Sequence, residues 1–349
     1  MELPQAPPTE GNIAGTTKHP GGTSAPARCL PPLAGWVIAL SDDGCTGLVL
    51  DVEATPDRHV VDVRYRAFRA SQNATHRCDR RTAPNAGPTL RRDPGHHWGV
   101  TVTISPLDCG SLIAPRSRFE QEAIDEPVEL PVPAWLVHHR RVTVLFDTGM
   151  HPDLTGPGEF TDTVGLVFDV GLTADQLVDR RLEAAGVSAT DIDVVVLSHL
   201  HFDHTGGLGL LPDARVVVQR DEWTAGADDN LAAASGFRAA EYRLGHDVTL
   251  ADGDHDLFGD GLVTCIATPG HTPGHQSLRV RLAHVEVVLA ADCAYFTATL
   301  DGGLLPPFGH DLAAHAASLD RLRAMRAAGT DVIPGHDRAV FDALPARMV

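Results

Sequence analysis

Lysine is almost missing from this 349-residue chain: every one of its 28 basic residues except Lys18 is arginine, against 46 Asp and Glu. We read the arginine as the coding bias of a GC-rich genome. The formal charge of −18 disfavours the clustered basic surface that nucleic acid or an anionic membrane would need. No apolar run reaches membrane-spanning length. The opening stretch MELPQAPPTEGNIAGTTKHPGG has neither the cationic start nor the apolar core of a signal peptide. The six cysteines, at 29, 45, 78, 109, 265 and 293, contain no C-x-x-C pair, which argues against both a disulfide framework and a zinc knuckle. No internal repeat is present. The expectation is a soluble, cytoplasmic protein, and 43% apolar residues suffice for a real core.

Charge divides what is there. Residues 1–95 carry 11 basic and 10 acidic residues, while residues 96–349 carry 17 and 36, a net −19. The first 28 residues, rich in Pro, Gly and Thr, read as disordered. WVIAL, GLVLDV and HVVDVRYRAF (36–40, 47–52, 59–68) read as short strands, with SDDG as a turn, and 69–97 reads as linker. We therefore expect an N-terminal extension over 1–95, of unknown function, and a main domain over 96–349.

From about residue 98 strands and helices interleave. RVTVLFDTG is a strand after an HHRR hairpin, and DIDVVVLS (191–198) is a continuous apolar strand buried on both faces. RVVVQ, LVTCIAT, QSLRVRL and VEVVLAA supply further strands, the last two as a hairpin. TADQLVDRRLEAAG reads as one helix, opened by a Thr173–Gln176 capping box and closed at Gly186. DLAAHAASLDRLRAMRAAG (311–329) reads as an amphipathic helix with Leu312, Ala316, Leu319, Leu322 and Met325 on its apolar stripe. The pattern predicts mixed sheets with helices outside.

The stretch SHLHFDHTGG, 198–207, follows the buried strand directly. On a helix His199 and His201 would point to nearly opposite sides, so the motif belongs to a loop at a strand end. There His199 and His201 can serve one cation while Asp203 and His204 turn to a second. TPGHTPGH offers His271, LAADCAY offers Asp292, and IPGHD offers His336, each at a strand end where rigid backbone can hold coordination geometry. Five imidazoles and two carboxylates without Cys suit zinc or a similar first-row ion. Seven ligands exceed one tetrahedral ion, so two ions about 3.5–4 Å apart, bridged by one carboxylate and a water or hydroxide, are the economical reading.

HLHFDH, TPGHTPGHQSL, ADCAY and PGHD, in that order, resemble the metallo-β-lactamase superfamily, and within it the N-acyl-homoserine lactonases. The resemblance covers roughly 100–340; Phe202, VQRDEW (218–223), HTPGHQSL and Tyr295 carry its lactonase-specific part. It implies an α/β fold, an αββα sandwich of two mixed β-sheets flanked by helices. It implies two Zn2+, or similar divalent ions, the first on His199, His201 and His271, the second on Asp203, His204 and His336, with Asp292 bridging. Asp147, closing FDTG, matches a residue that supports the metal loops without being a ligand. The implied reaction is opening of a small-molecule lactone by a metal-bridging hydroxide. Tyr295 would donate to the developing oxyanion, Asp203 would carry the proton to the leaving alkoxide, and Phe202 would wall the substrate pocket.

Alternatives on the same scaffold are a glyoxalase II-like thioesterase, a β-lactamase and a phosphoesterase; a different class is a non-catalytic metal sensor, which should have lost ligands. The acidic catalytic region disfavours nucleic-acid processing, and the lack of an obvious basic cluster disfavours an anionic thiol carrier. His96, His97, His138 and His139 read as solvated, His275 and His310 as having no necessary role, and His315 and Cys293 as structural. Segments 150–172 and 224–246 are the expected pocket walls. A homodimer is the candidate assembly, although the extension departs from the compact lactonase plan. If the division near residue 95 is right, a chain beginning at Gly95 stays folded and keeps its hydrolytic activity. Loss of metal uptake by that shortened chain would place the boundary elsewhere.

Overall fold

The computed structural model describes residues 102–121, 123–140 and 142–349 together with the backbone of three upstream strands. Those strands, β1 (Trp36–Leu40), β2 (Thr46–Ala54) and β3 (Val61–Arg69), pair antiparallel in that order. They match the three strands read from the sequence. The SDDG turn, the first 28 residues and the linker beyond Arg69 lie outside the described residues.

A seven-stranded sheet comprises β4 (Thr103–Pro115), β5 (Pro127–His139), β6 (Val142–Phe146), β7 (Asp169–Gly171), β8 (Val194–Val196), β9 (Arg215–Gln219) and β10 (Val248–Ala251), in the order β10-β9-β8-β6-β5-β4-β7. From β10 to β6 the strands are parallel; from β6 to β7 they are antiparallel. A five-stranded sheet runs in sequence order through β11 (His255–Asp256), β12 (Val263–Ala267), β13 (Gln276–Arg281), β14 (Glu286–Leu289) and β15 (Asp331–Ile333). Only its β14–β15 pair is parallel. Both sheets are mixed, as the resemblance implied.

Period-two alternation explains why these strands make a four-layer sandwich. Val144 and Phe146 of β6, Val196 of β8 and Val217 of β9 pack in one cluster with Val263, Cys265, Leu278, Val280, Val287 and Leu289 of the five-stranded sheet. The intervening residues Leu145, Val195, Val216 and Val218 face the other way, onto Val178 and Leu182 of one helix and Ala225 and Tyr242 of two others. Ile266 and Val288 likewise face outward onto Leu300, Leu319 and Leu322. Each sheet is apolar on both faces, so each needs a second sheet on one side and helices on the other.

Three sequence expectations change. The helix expected from Thr173 to Gly186 is broken at Leu177, which is extended (φ −62, ψ 145), giving a 3-10 turn Ala174–Gln176 and a helix Val178–Ala184. The break directs Val178 and Leu182 into the core, and Gln176 still caps Thr173 N–H at 3.1 Å. The late helix spans Leu312–Ala327, but its buried face is His315, Ser318, Leu319 and Leu322, with Leu312 and Ala316 exposed. The face rotated because His315 finds a polar partner inside: its Nε2 lies 3.1 Å from the Cys293 carbonyl oxygen. His139 is buried rather than solvated. It stacks on Phe258 at 4.1 Å and its Nε2 lies 3.0 Å from Asp260 Oδ2, a partner 121 residues away.

The rotated helix face is testable by two truncations. Leu322→Ala should lower stability by about 2–5 kcal/mol, whereas Leu312→Ala should stay within about 0.5 kcal/mol of the parent. Thermal unfolding midpoints would decide; comparable losses at both positions would restore the face read from the sequence.

Candidate metal centre

Five strands deliver the site from their C-terminal ends. Asp147 follows β6, His199 to His204 follow β8, His271 follows β12, Asp292 follows β14 and His336 follows β15. Two turns there are held in left-handed backbone that L residues avoid, Asp147 at φ 59 and Ala291 at φ 46. Such conformations cost of order 1–3 kcal/mol each, and both reach the site: Asp147 by its own side chain, Ala291 by aiming the next residue, Asp292.

The described side chains form two groups of candidate ligand atoms, each within 4.8 Å of one another: His199, His201, His271 and Asp292, and Asp203, His204 and His336. The resemblance implied His199, His201 and His271 on one side and Asp203, His204 and His336 on the other, with Asp292 between; here Asp292 falls with the first three. In the first group His201 Nδ1 lies 2.9 Å from His199 Nε2 and 3.1 Å from His271 Nε2. Asp292 joins the groups. Its Oδ2 is 3.3 Å from His271 Nε2 and 3.9 Å from His199 Nε2, while its Oδ1 is 3.1 Å from His204 Nε2 and 2.9 Å from His336 Nε2. Asp203 Oδ2 lies 3.4 Å from His204 Nε2.

The remaining ring nitrogens identify which atoms are free to coordinate. His336 Nδ1 donates to the Pro131 carbonyl (2.8 Å), His201 Nε2 to the Ser235 carbonyl (3.0 Å) and His204 Nδ1 to Asp147 Oδ2 (2.9 Å). His199 Nδ1 meets Ser198 Oγ at 2.9 Å. The bonds at His336, His201 and His204 turn the opposite ring nitrogen, Nε2 of His336 and His204 and Nδ1 of His201, toward the centre, where Nε2 of His199 converges with them. Outer partners of this kind fix the tautomer of a coordinating imidazole. Convergent imidazole lone pairs repel one another unless a proton or cation lies between them. His204 Nε2, moreover, is buried and makes no well-aligned hydrogen bond although Asp292 Oδ1 lies 3.1 Å away. The donor set therefore fits divalent metal.

Electrostatics differ between the two groups. Burial pushes His199 and His271 well below the ordinary imidazole range and lowers His201, keeping the first group neutral as coordination requires. Burial opposes the ionised form of Asp292, but His336, His204, His199 and His271 hold it well below the usual carboxylate range. In the second group burial is overridden: Asp203, Asp292 and Asp147 hold His204 well above its ordinary value, and Asp292 and Asp203 raise His336, so a proton occupies these nitrogens until a cation displaces it. Burial and the charge of Asp292 drive the Tyr295 phenol well upward, so it stays protonated and able to donate.

Tyr295 stands between the groups, its ring 5.4 Å from that of His336 and 5.9 Å from that of His271. Phe202 is buried in an apolar cluster with Met150, Leu154, Phe119 and Tyr295. Its ring lies 6.1 Å from Phe160 and 6.0 Å from Phe168, both in the 150–172 segment. Asp147 Oδ1 also accepts the Ser198 N–H at 2.7 Å. His275 is buried behind His199, its Nδ1 3.1 Å from the Thr268 carbonyl oxygen, and burial lowers it to about 3. His310 is exposed, and Cys293 packs in the apolar layer under the helix Leu312–Ala327. His96 and His97 lie outside the described residues.

One residue of evident importance escaped the sequence reading. Glu222, within VQRDEW, is fully buried and accepts hydrogen bonds from the N–H groups of Leu200 (3.0 Å) and Gly274 (2.8 Å). Nothing in the local pattern separates it from exposed Asp221 beside it.

A model of the metallo-β-lactamase superfamily matches residues 127–336, and this chain belongs to that superfamily. The N-acyl homoserine lactonase AttM of Azorhizobium caulinodans is 32% identical over 217 residues, 60% of this chain and 82% of that protein. Among solved structures, an N-acyl homoserine lactone hydrolase with the product N-hexanoyl-L-homoserine bound at its catalytic metal centre has a TM-score of 0.62 at 24% identity, covering 70% of this chain and 98% of that one. AidC, a dizinc quorum-quenching lactonase, has a TM-score of 0.53 at 18% identity, over 68% and 88%. The two structures share the fold.

Asp147→Ala removes the acceptor for both His204 Nδ1 and Ser198 N–H. Loss of an outer partner lowers metal affinity about 10- to 100-fold, and a competitive chelator titration should find that loss. Unchanged affinity would reduce Asp147 to a turn residue.

Proposed function

We propose that this chain is a dinuclear zinc lactonase that opens N-acyl-homoserine lactones or related lactones to hydroxy acids. The observation that carries the proposal is Asp292, whose two oxygens face separate histidine groups, Oδ2 toward His199 and His271 and Oδ1 toward His204 and His336. The nitrogen-rich donor set without Cys suits zinc. The relative AttM, named as an N-acyl homoserine lactonase, supports the substrate class.

In this reading His199, His201 and His271 would hold one ion and Asp203, His204 and His336 the other, with Asp292 available to both. When bound, such a pair supplies a nucleophilic water near neutral pH and polarises the lactone carbonyl. Tyr295, kept protonated, donates a hydrogen bond to the carbonyl oxygen as it becomes negative. Asp203 moves the proton to the leaving alkoxide. Phe202, with Phe160 and Phe168, excludes water from one side and receives apolar parts of the substrate. In this reading residues 96–349, which contain the match over 127–336, form the catalytic domain and residues 1–95 an extension.

Zinc content of reconstituted protein should approach two equivalents per chain; saturation at one would end the dinuclear reading. On the same sample, acyl-homoserine lactones should be hydrolysed faster than a thioester, a β-lactam or a phosphoester, and the reverse preference would replace the substrate class. Tyr295→Phe should keep both ions and lower turnover about 100-fold or less, since a single oxyanion donor is worth about 2.7–4 kcal/mol and the metal shares its work. Asp203→Asn should be worse. Unchanged lactone kinetics in Tyr295→Phe would make that residue packing alone.

A further inference from the structure

We propose that Glu222 is the positioning residue of the first metal group, a buried carboxylate that ties its two ligand-bearing loops to one helix. The proposal rests on the metal-centre reading above and adds a residue to it. Glu222 lies in the first turn of the helix Arg220–Ala227 and is fully buried. Its Oε1 accepts the N–H of Leu200, the residue between His199 and His201, at 3.0 Å. Its Oε2 accepts the N–H of Gly274, three residues beyond His271, at 2.8 Å. One carboxylate thus fixes the backbone of both segments that supply the three imidazoles of this group.

The surroundings fit that use. A Cβ at Gly274 would collide with the backbone nitrogen of Glu222, so only glycine lets the second loop reach the helix. A Cβ at Gly226, one helical turn on, would collide with Leu200 Cδ1, so the first loop also rests on the helix through its side chain. The next helix, Asp229–Ala234, ends at Ser235, whose carbonyl oxygen takes the His201 Nε2–H. The helical segment 220–235 is therefore a brace for His199, His201 and His271. It makes none of these contacts to Asp203, His204 or His336, whose group is braced by Asp147 and Pro131 instead. Buried N–H groups need acceptors, but a carboxylate spanning two metal loops does more than satisfy them: it sets their separation.

The test compares zinc affinity in two full-length backgrounds, each with one group disabled. His336→Ala leaves the first group whole, and His271→Ala leaves the second. Glu222→Gln keeps the side-chain shape but turns an N–H2 toward one of the two backbone N–H groups, releasing one loop. Chelator-competition titration should show zinc binding weakened about tenfold or more in the His336→Ala background, and changed less than about twofold in the His271→Ala background. Equal weakening in both backgrounds, accompanied by a lower unfolding temperature of the metal-free chain, would make Glu222 general structural support and overturn the proposal. So would unchanged affinity in the first. If Glu222→Gln does not fold, Glu222→Asp, one methylene too short to reach both loops, is expected to give the same selective loss in the same titrations. A parent chain that takes up no zinc would instead remove the metal-centre reading itself, and the positioning role with it.

Discussion

The buried carboxylate of Asp292 is the constraint around which the rest of the site is arranged. Removing a carboxylate from water is costly unless charges and donors compensate, and here it lies among His199, His204, His271 and His336. That arrangement can exist only if four loops from both sheets end at the same point. It is also where the backbone is strained, at Ala291 immediately before Asp292 and at Asp147 across the site. Strain at such positions persists only when the surrounding structure over-determines it, and two packed sheets provide that rigidity.

Around this centre the polar contacts divide by group. Asp147 serves His204 and the Ser198 N–H, while Glu222 serves the backbone on either side of the first group. Both are buried acids that never need to touch an ion. Their value is geometric, since an imidazole coordinates well only when its ring orientation and tautomer are fixed. The neutral interior histidines, His275 and His315, complete the polar layer by bonding to the carbonyls of Thr268 and Cys293.

The sandwich makes the site possible by a simple periodicity. Adjacent residues of β6, β8, β9, β12 and β14 alternate between the inter-sheet core and the helix-facing layers, so every strand is held from both sides and its end is rigid. Apolar residues from the 150–172 segment and Phe202 then form a wall beside the polar centre. The result is a buried polar centre with an apolar wall on one flank.

By itself the sequence marked β1 to β3, β6, β8, β9 and β12 to β14, their mixed pairing and seven candidate ligands, because each rests on a local pattern: period-two apolar runs, Gly and Pro turns, and His or Asp at a strand end; the long β4–β5 pair escaped it. The family resemblance, rather than any local pattern, offered Asp147 as a support for the loops. Only the tertiary structure decided the rest. Glu222 and Asp221 are adjacent acids, and one is buried only because loops at 200 and 274 close over it. The late helix buries His315 in place of Leu312, and His139 turns inward, since distant partners at Cys293 and Asp260 accept them. His336 is oriented by Pro131, 205 residues away. Local periodicity carries the preference of a side chain for an apolar or polar place, but a buried polar group is settled by the partner it meets, and that partner is brought by the fold.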